Sequence, residues 1–193
     1  GTIYVQKESD DLTPLYELVR STLNMGAKSQ IYFDKHTDDL ANGPQYVDVA
    51  PSYDDVTDEM LEDRIDTSGT DFDDSAVAAE LSQCGLSYYG ASAVLDSCTA
   101  LRIYFHIDNV DKYNLIKDSV TFGDVAAAPH KASSNGKYVY FEYTNVEATH
   151  LNNSYTLTIG GNSYQYSVMD YLRLARNYAV ETENDNLMNL VTA

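Results

Sequence analysis

The sequence predicts an α+β fold, mainly β with helices, in which an antiparallel β-sandwich carries flanking N- and C-terminal helices. Three observations predict it. Between residues 76 and 166 apolar residues recur with a period near two, the signature of half-buried strands. At both ends of the chain the period lengthens towards that of a helix. The aromatic content is 17 Tyr against 5 Phe and no Trp, and tyrosine favours strand faces where one end of the ring meets water.

The first element is a helix over residues 13–33. Thr13 suits the N-cap, and Pro14 sits in the first turn, where its missing N–H costs nothing. Leu15, Leu18, Val19, Thr22, Leu23 and Gly26 follow at helical spacing, and Gly26-Ala27 would let another backbone come close. Asn42-Gly43-Pro44 is a stop signal. Residues 46–80 hold twelve acidic side chains against Arg64 alone, so residues 46–75 read as an acidic linker with one short helix near Asp58–Asp66.

Strands come next. Asp96-Ser97 joins Leu86–Leu95 to Thr99–Ile107 as a hairpin. In the second arm Ile103, Phe105 and Ile107 face a core while Arg102, Tyr104 and His106 face out. Tyr138–Tyr143 and Tyr155–Ile159 alternate similarly, and Gly160-Gly161-Asn162 is a tight turn signal. About seven short strands argue for a sandwich over residues 76–166. Ser167 and Asp170 have capping-box spacing ahead of a helix, and a last helix starts near Asn184. Its Leu187-Met188-Asn189-Leu190-Val191 echoes Leu15-Tyr16-Glu17-Leu18-Val19. The organisation read from these signals is a helical segment 1–45, the linker 46–75, the sandwich 76–166 and C-terminal helices 167–193 that pack with the N-terminal helix. Leu15, Leu18 and Val19 are expected buried against Tyr171, Leu172, Leu174 and Tyr178, or against a neighbouring copy.

Composition excludes some functions. The net charge of −18 repels phosphate backbones and anionic lipid, which disfavours nucleic acid and membrane surfaces as partners. No apolar run reaches membrane-spanning length. Cys84 and Cys98 are too few for a disulfide scaffold, and a regular hairpin would hold them beyond bridging distance, so free thiols are expected.

Few constellations suggest chemistry. His36, His106, His130 and His150 show no metal-ligand spacing. Gly85-Leu86-Ser87-Tyr88-Tyr89 fails the nucleophile-elbow pattern at its fifth position. No enzyme is therefore expected, the alternative being a glycoside hydrolase whose paired carboxylates cannot be read from linear order. No cofactor is expected except calcium, for which Asp71, Asp73 and Asp74 offer clustered hard oxygens. Tyr104, Tyr138, Tyr140 and Tyr164 are the candidate ligand-binding residues, since exposed aromatic rings stack on the apolar faces of sugars.

From about Leu81 to Ala193 the chain resembles a module that recurs in large secreted and surface proteins of gut-dwelling Gram-positive bacteria. The motifs are Leu101-Arg102-Ile103-Tyr104-Phe105, Val146-Glu147-Ala148-Thr149-His150-Leu151, Tyr155–Gly160, Tyr166-Ser167 through Tyr171, and a closing Asn-Leu-x-Asn-Leu helix. The tail of that module is similar to Leu23–Ala27, Tyr32-Phe33 and Thr37–Asn42. The resemblance implies that residues 1–42 end one repeat and residues 46–193 are most of the next. It implies an extracellular or cell-surface, non-catalytic structural or adhesion module. Its partners would be neighbouring modules of the same polypeptide, glycans, or host and cell-surface proteins. The motifs are structural and carry over no catalytic residue.

Overall fold

A computed structural model describes residues 13–41, 69–95, 98–147 and 150–193. Its elements are α1 (Thr13–Tyr32), α2 (Ser75–Gln83), β1 (Leu86–Leu95), β2 (Thr99–Ile107), α3 (Val110–Ile116), β3 (Thr121–Phe122), β4 (Val125–Ala126), β5 (His130–Lys131), β6 (Tyr138–Val146), β7 (Tyr155–Ile159), β8 (Asn162–Tyr166), α4 (Val168–Glu181) and α5 (Asp185–Thr192). The fold is α+β, with two four-stranded antiparallel sheets ordered β1-β2-β6-β5 and β4-β3-β7-β8. The stop at Asn42-Gly43-Pro44, the short helix expected near Asp58–Asp66 and the Asp96-Ser97 turn lie outside the described residues. The chain forms two compact units, Gly1–Glu62 with Leu174–Ala193, and Asp63–Arg173.

In the first unit α1 packs against α5. Ala27 is buried, and a Cβ on Gly26 would lie 3.3 Å from the Ala41 side chain, so these small residues admit the returning chain. Gln30 holds that return. Its Nε2 donates to the carbonyls of His36 and Asp39 (3.2 and 3.0 Å), and its Oε1 accepts from the Ala41 N–H (2.8 Å). Helix α5 is capped by Asn184, whose side chain accepts from Leu187 N–H at 3.0 Å, as cap chemistry dictates. Within this chain Val19 is half-buried, but the two leucines expected to be buried with it are exposed. Leu15 is 50% and Leu18 63% exposed, and Leu174 and Tyr178 are also exposed. The helical period of α1 marks an apolar stripe, but α5 covers only part of it.

The second unit is built on alternation. In β2, Leu101, Ile103 and Phe105 are fully buried while Arg102, Tyr104 and His106 are half-exposed; in β6, Val139 and Phe141 are buried between half-exposed Tyr138, Tyr140 and Glu142. These join Phe122, Leu157, Ile159, Tyr164 and Tyr166 in one buried cluster drawn from both sheets. Burying each such side chain is worth about 1.5–3 kcal/mol. The turn between β7 and β8 has positive φ at Gly160 and Gly161 (58° and 89°), the backbone of a two-residue hairpin. Ahead of α4, Asp170 Oδ2 accepts from the Ser167 N–H at 2.8 Å, and Ser167 Oγ accepts from the Asp170 N–H at 3.0 Å, a reciprocal capping box. That residue is 1% exposed, and a Cβ on Gly69 would run into its carboxylate, so any larger residue there would have to displace it.

Two expectations are corrected at the start of this unit. Residues 69–75 do not read as linker in the structure. Phe72 is 4% exposed and stacks on Tyr88 at 4.8 Å, with Phe105, Tyr164 and Tyr166 around it. Residues 75–83, placed in the strand region by the sequence reading, are helix α2. One aromatic ring anchors a segment whose charge otherwise disguises it.

Candidate functional site

Strand register builds the site. The β2–β6 ladder sets Arg102 opposite Glu142, Tyr104 opposite Tyr140 and His106 opposite Tyr138. The β5–β6 pairing adds His130 beyond Tyr140, and β1 brings Ser92 to Arg102 and Gly90 to Tyr104. Because side chains alternate, all of these share the face of the sheet that points away from the core. The result is three adjacent rows across the strands, Ser92–Arg102–Glu142, Gly90–Tyr104–Tyr140–His130 and Ser87–His106–Tyr138.

The rows touch. Tyr104 and Tyr140 have ring centroids 5.2 Å apart, and His130 stacks on Tyr140 at 4.9 Å. His106 meets Tyr138 edge-on at 4.9 Å, and the exposed Tyr89 meets Tyr138 at 4.6 Å. Arg102 lies over the Tyr140 ring with its Cζ 4.9 Å from the centroid, a cation–π contact. Its Nε also donates to Glu142 Oε2, and this bond to the carboxylate holds the guanidinium above its ordinary pKa. The Tyr104 hydroxyl shares a hydrogen bond with Ser92 Oγ at 3.2 Å, and His106 Nδ1 shares one with Asp108 at 2.7 Å. A Cβ at Gly90 would meet nothing within 4 Å, so the flank of Tyr104 on β1 carries no side chain. Cross-strand aromatic and charge pairs of this kind stabilise a sheet by a few tenths to about 1 kcal/mol each. Together they also present rings beside fixed donors and acceptors, which is what a partly apolar, hydroxylated ligand needs.

Of the four tyrosines proposed from sequence, the sheet brings Tyr104, Tyr138 and Tyr140 together. Tyr164 is a correction. It is 3% exposed, packs in the core beside Phe72, and its hydroxyl donates to Glu80 Oε2 at 3.1 Å. Burial, then the bond to Glu80, pushes its pKa up. Its neighbours Ser163 and Gln165 are the solvent-facing residues of β8. Alternation along β2 sets Arg102 and His106 outward, but neither of them, nor His130, Glu142 or Tyr89, stands out as a site residue in the sequence. For His130 no local signal exists, because a two-residue strand has no period to read.

The calcium reading is also corrected. Asp71 Oδ1 accepts from the Asp73 N–H at 3.0 Å, closing a turn. Asp74 Oδ1 accepts from the Ala76 and Val77 N–H groups at 2.8 and 3.4 Å, capping α2. Among the described residues, no group of three or more His, Cys, Asp and Glu side chains is arranged to hold a metal ion. Two of the three carboxylates, those of Asp71 and Asp74, are taken up by turn and cap chemistry.

Cys84 and Cys98 are free. Cys84 is buried, and burial raises its pKa, so it lacks the thiolate character of a nucleophile. No described helix is long and apolar enough to cross a membrane. In comparisons with protein families, curated proteins and solved structures, the chain matches none.

Proposed function

We propose that the chain is a non-catalytic extracellular module of a larger bacterial surface or secreted protein, and that the outward face of the β1-β2-β6-β5 sheet is its adhesive surface. The ligand class is carbohydrate. The observation that supports it is the gathering of Tyr104, Tyr138, Tyr140, His106 and His130 with the Arg102–Glu142 pair on one sheet face. Aromatic rings cover the apolar C–H faces of a pyranose, while Arg102, Glu142 and the imidazoles address its hydroxyls. Seated on paired strands, these groups lose little further freedom on binding.

A second reading is a structural spacer. It is favoured by the exposed Leu15 and Leu18 of α1 and by the matched helix starts. Thr13 in α1 and Asp185 in α5 each stand two residues before the shared Leu-x-x-Leu-Val. In that reading the leucine stripe joins consecutive modules.

Glycan-array screening of the intact chain separates them. The adhesive reading expects saturable binding to one glycan class, reduced at least about tenfold by Tyr104→Ala or Tyr140→Ala, a loss near 1.4 kcal/mol. A clean negative favours the spacer. Turnover on the same panel that vanishes with a single Asp→Asn change would make the chain a glycoside hydrolase and overturn both.

A further inference from the structure

The four sheet edges are not treated alike. Strands β4 and β5 are two residues long, and β5 ends in Lys131. Strand β8 is closed by Thr70, whose N–H donates to Gln165 O (2.9 Å) and whose Oγ1 accepts from the Gln165 N–H (2.9 Å). Short length, lysine and a covering segment are the usual ways of keeping an edge from pairing with another chain. Strand β1 is different. It runs ten residues, Leu86–Leu95, as the outermost strand of its sheet. It contains no proline and no charged residue. Among the described residues no strand pairs with its outer side; it carries a bulge between Tyr88 and Gly90, and beyond it the register with β2 is regular from Ala91 to Leu95.

We propose that the Ala91–Leu95 edge of β1 receives an extended peptide as a fifth strand of this sheet. A strand edge offers alternating N–H and C=O groups, and the ligand that satisfies them is another extended backbone. The side chains say more about that backbone. Ala91 and Ala93 face inward, opposite the fully buried Ile103 and Leu101, and both are half-buried at the margin of the core. Two small residues there leave room for larger apolar side chains at alternate positions of an incoming strand. A second copy of this chain fits poorly. It would set alanine against alanine, and it would bring together two molecules of net charge −18 each. The occupant is therefore a peptide with large apolar residues at every second position and no net negative charge.

The probe is a short synthetic peptide of alternating Val and Thr with a Lys at each end, tested on the full chain. Fluorescence anisotropy should show saturable binding. The same peptide, N-methylated at alternate residues, should bind at least about tenfold more weakly, since it keeps its side chains and loses backbone donors. Hydrogen exchange should show new protection in Ala91–Leu95 and none in β8. Ala93→Lys, an inward-pointing charge on the edge, should abolish binding; if that variant does not fold, the N-methylated peptide still decides. Equal affinity for both peptides, protection elsewhere, or no binding overturns the proposal. So does sedimentation showing a dimer protected at β1 without peptide. None of these outcomes depends on the glycan result, because the sugar reading uses the sheet face and not its edge.

Discussion

Strands β6 and β8 each carry a Tyr-x-Tyr step, and the two steps point in opposite directions. In Tyr138-Val139-Tyr140 the valine is buried and the rings stand on the outer face; in Tyr164-Gln165-Tyr166 the glutamine is exposed and both rings are buried. Tyrosine tolerates either side, because its ring is apolar and its hydroxyl is not. The residue between is less tolerant, so it decides which face turns inward. Val139 takes the core and sends its neighbours out; Gln165 cannot, and its neighbours go in.

The contrast predicts a large difference in stability. Tyr166 is fully buried, and Tyr166→Ala should cost about 3–5 kcal/mol by leaving a cavity. Tyr140→Ala on the outer face should cost about 1 kcal/mol or less. Denaturant midpoints measure both, and similar losses would mean that the outer rings are structural rather than presented.

Alkaline titration tests the buried set by another route. Burial, then Asp73 and Asp71, pushes Tyr88 from its ordinary 10.0 to about 12, and Tyr166 is also raised, chiefly by burial. A raised phenol pKa means that the folded state keeps the proton longer than the unfolded one. The resulting stability is fully present below about pH 10 and is lost as pH climbs through the folded value. Unfolding free energy should therefore fall between about pH 10 and 12, and Tyr88→Phe should flatten that slope. A curve flat over that range in the unsubstituted chain contradicts the assignment.

The smallest effect separates two buried rings. The Tyr166 hydroxyl is buried with no hydrogen-bond partner among the described residues, so Tyr166→Phe should leave stability unchanged or raise it by up to about 1 kcal/mol. Tyr164→Phe removes the bond to Glu80 and should cost about 1 kcal/mol. Thermal melts of the two variants should move in different directions or by clearly different amounts.

Regular elements were legible in the sequence because their signals are local. The β1 and β2 spans, the Gly160-Gly161 turn, the Ser167/Asp170 box and the Asn184 start all rest on residues within a few positions of each other. What escaped was set by distant partners. Phe72 reads as one aromatic in an acidic run until Tyr88 and Tyr166 close around it. Tyr164 reads as exposed unless Gln165 is taken as the outward residue, a signal that was present. The gathering of Arg102, Glu142, Tyr140 and His130 follows from pairing β2 with β6 and β6 with β5, an order that periodicity does not contain.

That pairing also bears on the order of folding. Thr158 and Ser163 meet across five residues and Ser92 and Tyr104 across twelve, while Arg102 reaches Glu142 across forty. Loop closure costs more entropy as the loop lengthens, so the two hairpins can close early, on the microsecond scale typical of such elements (about 1–10 μs), while β6 docks onto β2 later. Until it does, each row of the outer face is cut in half, with Arg102, Tyr104 and His106 on one side and their partners elsewhere. A surface split across so long a loop stays incomplete on a nascent chain until the sheet is complete.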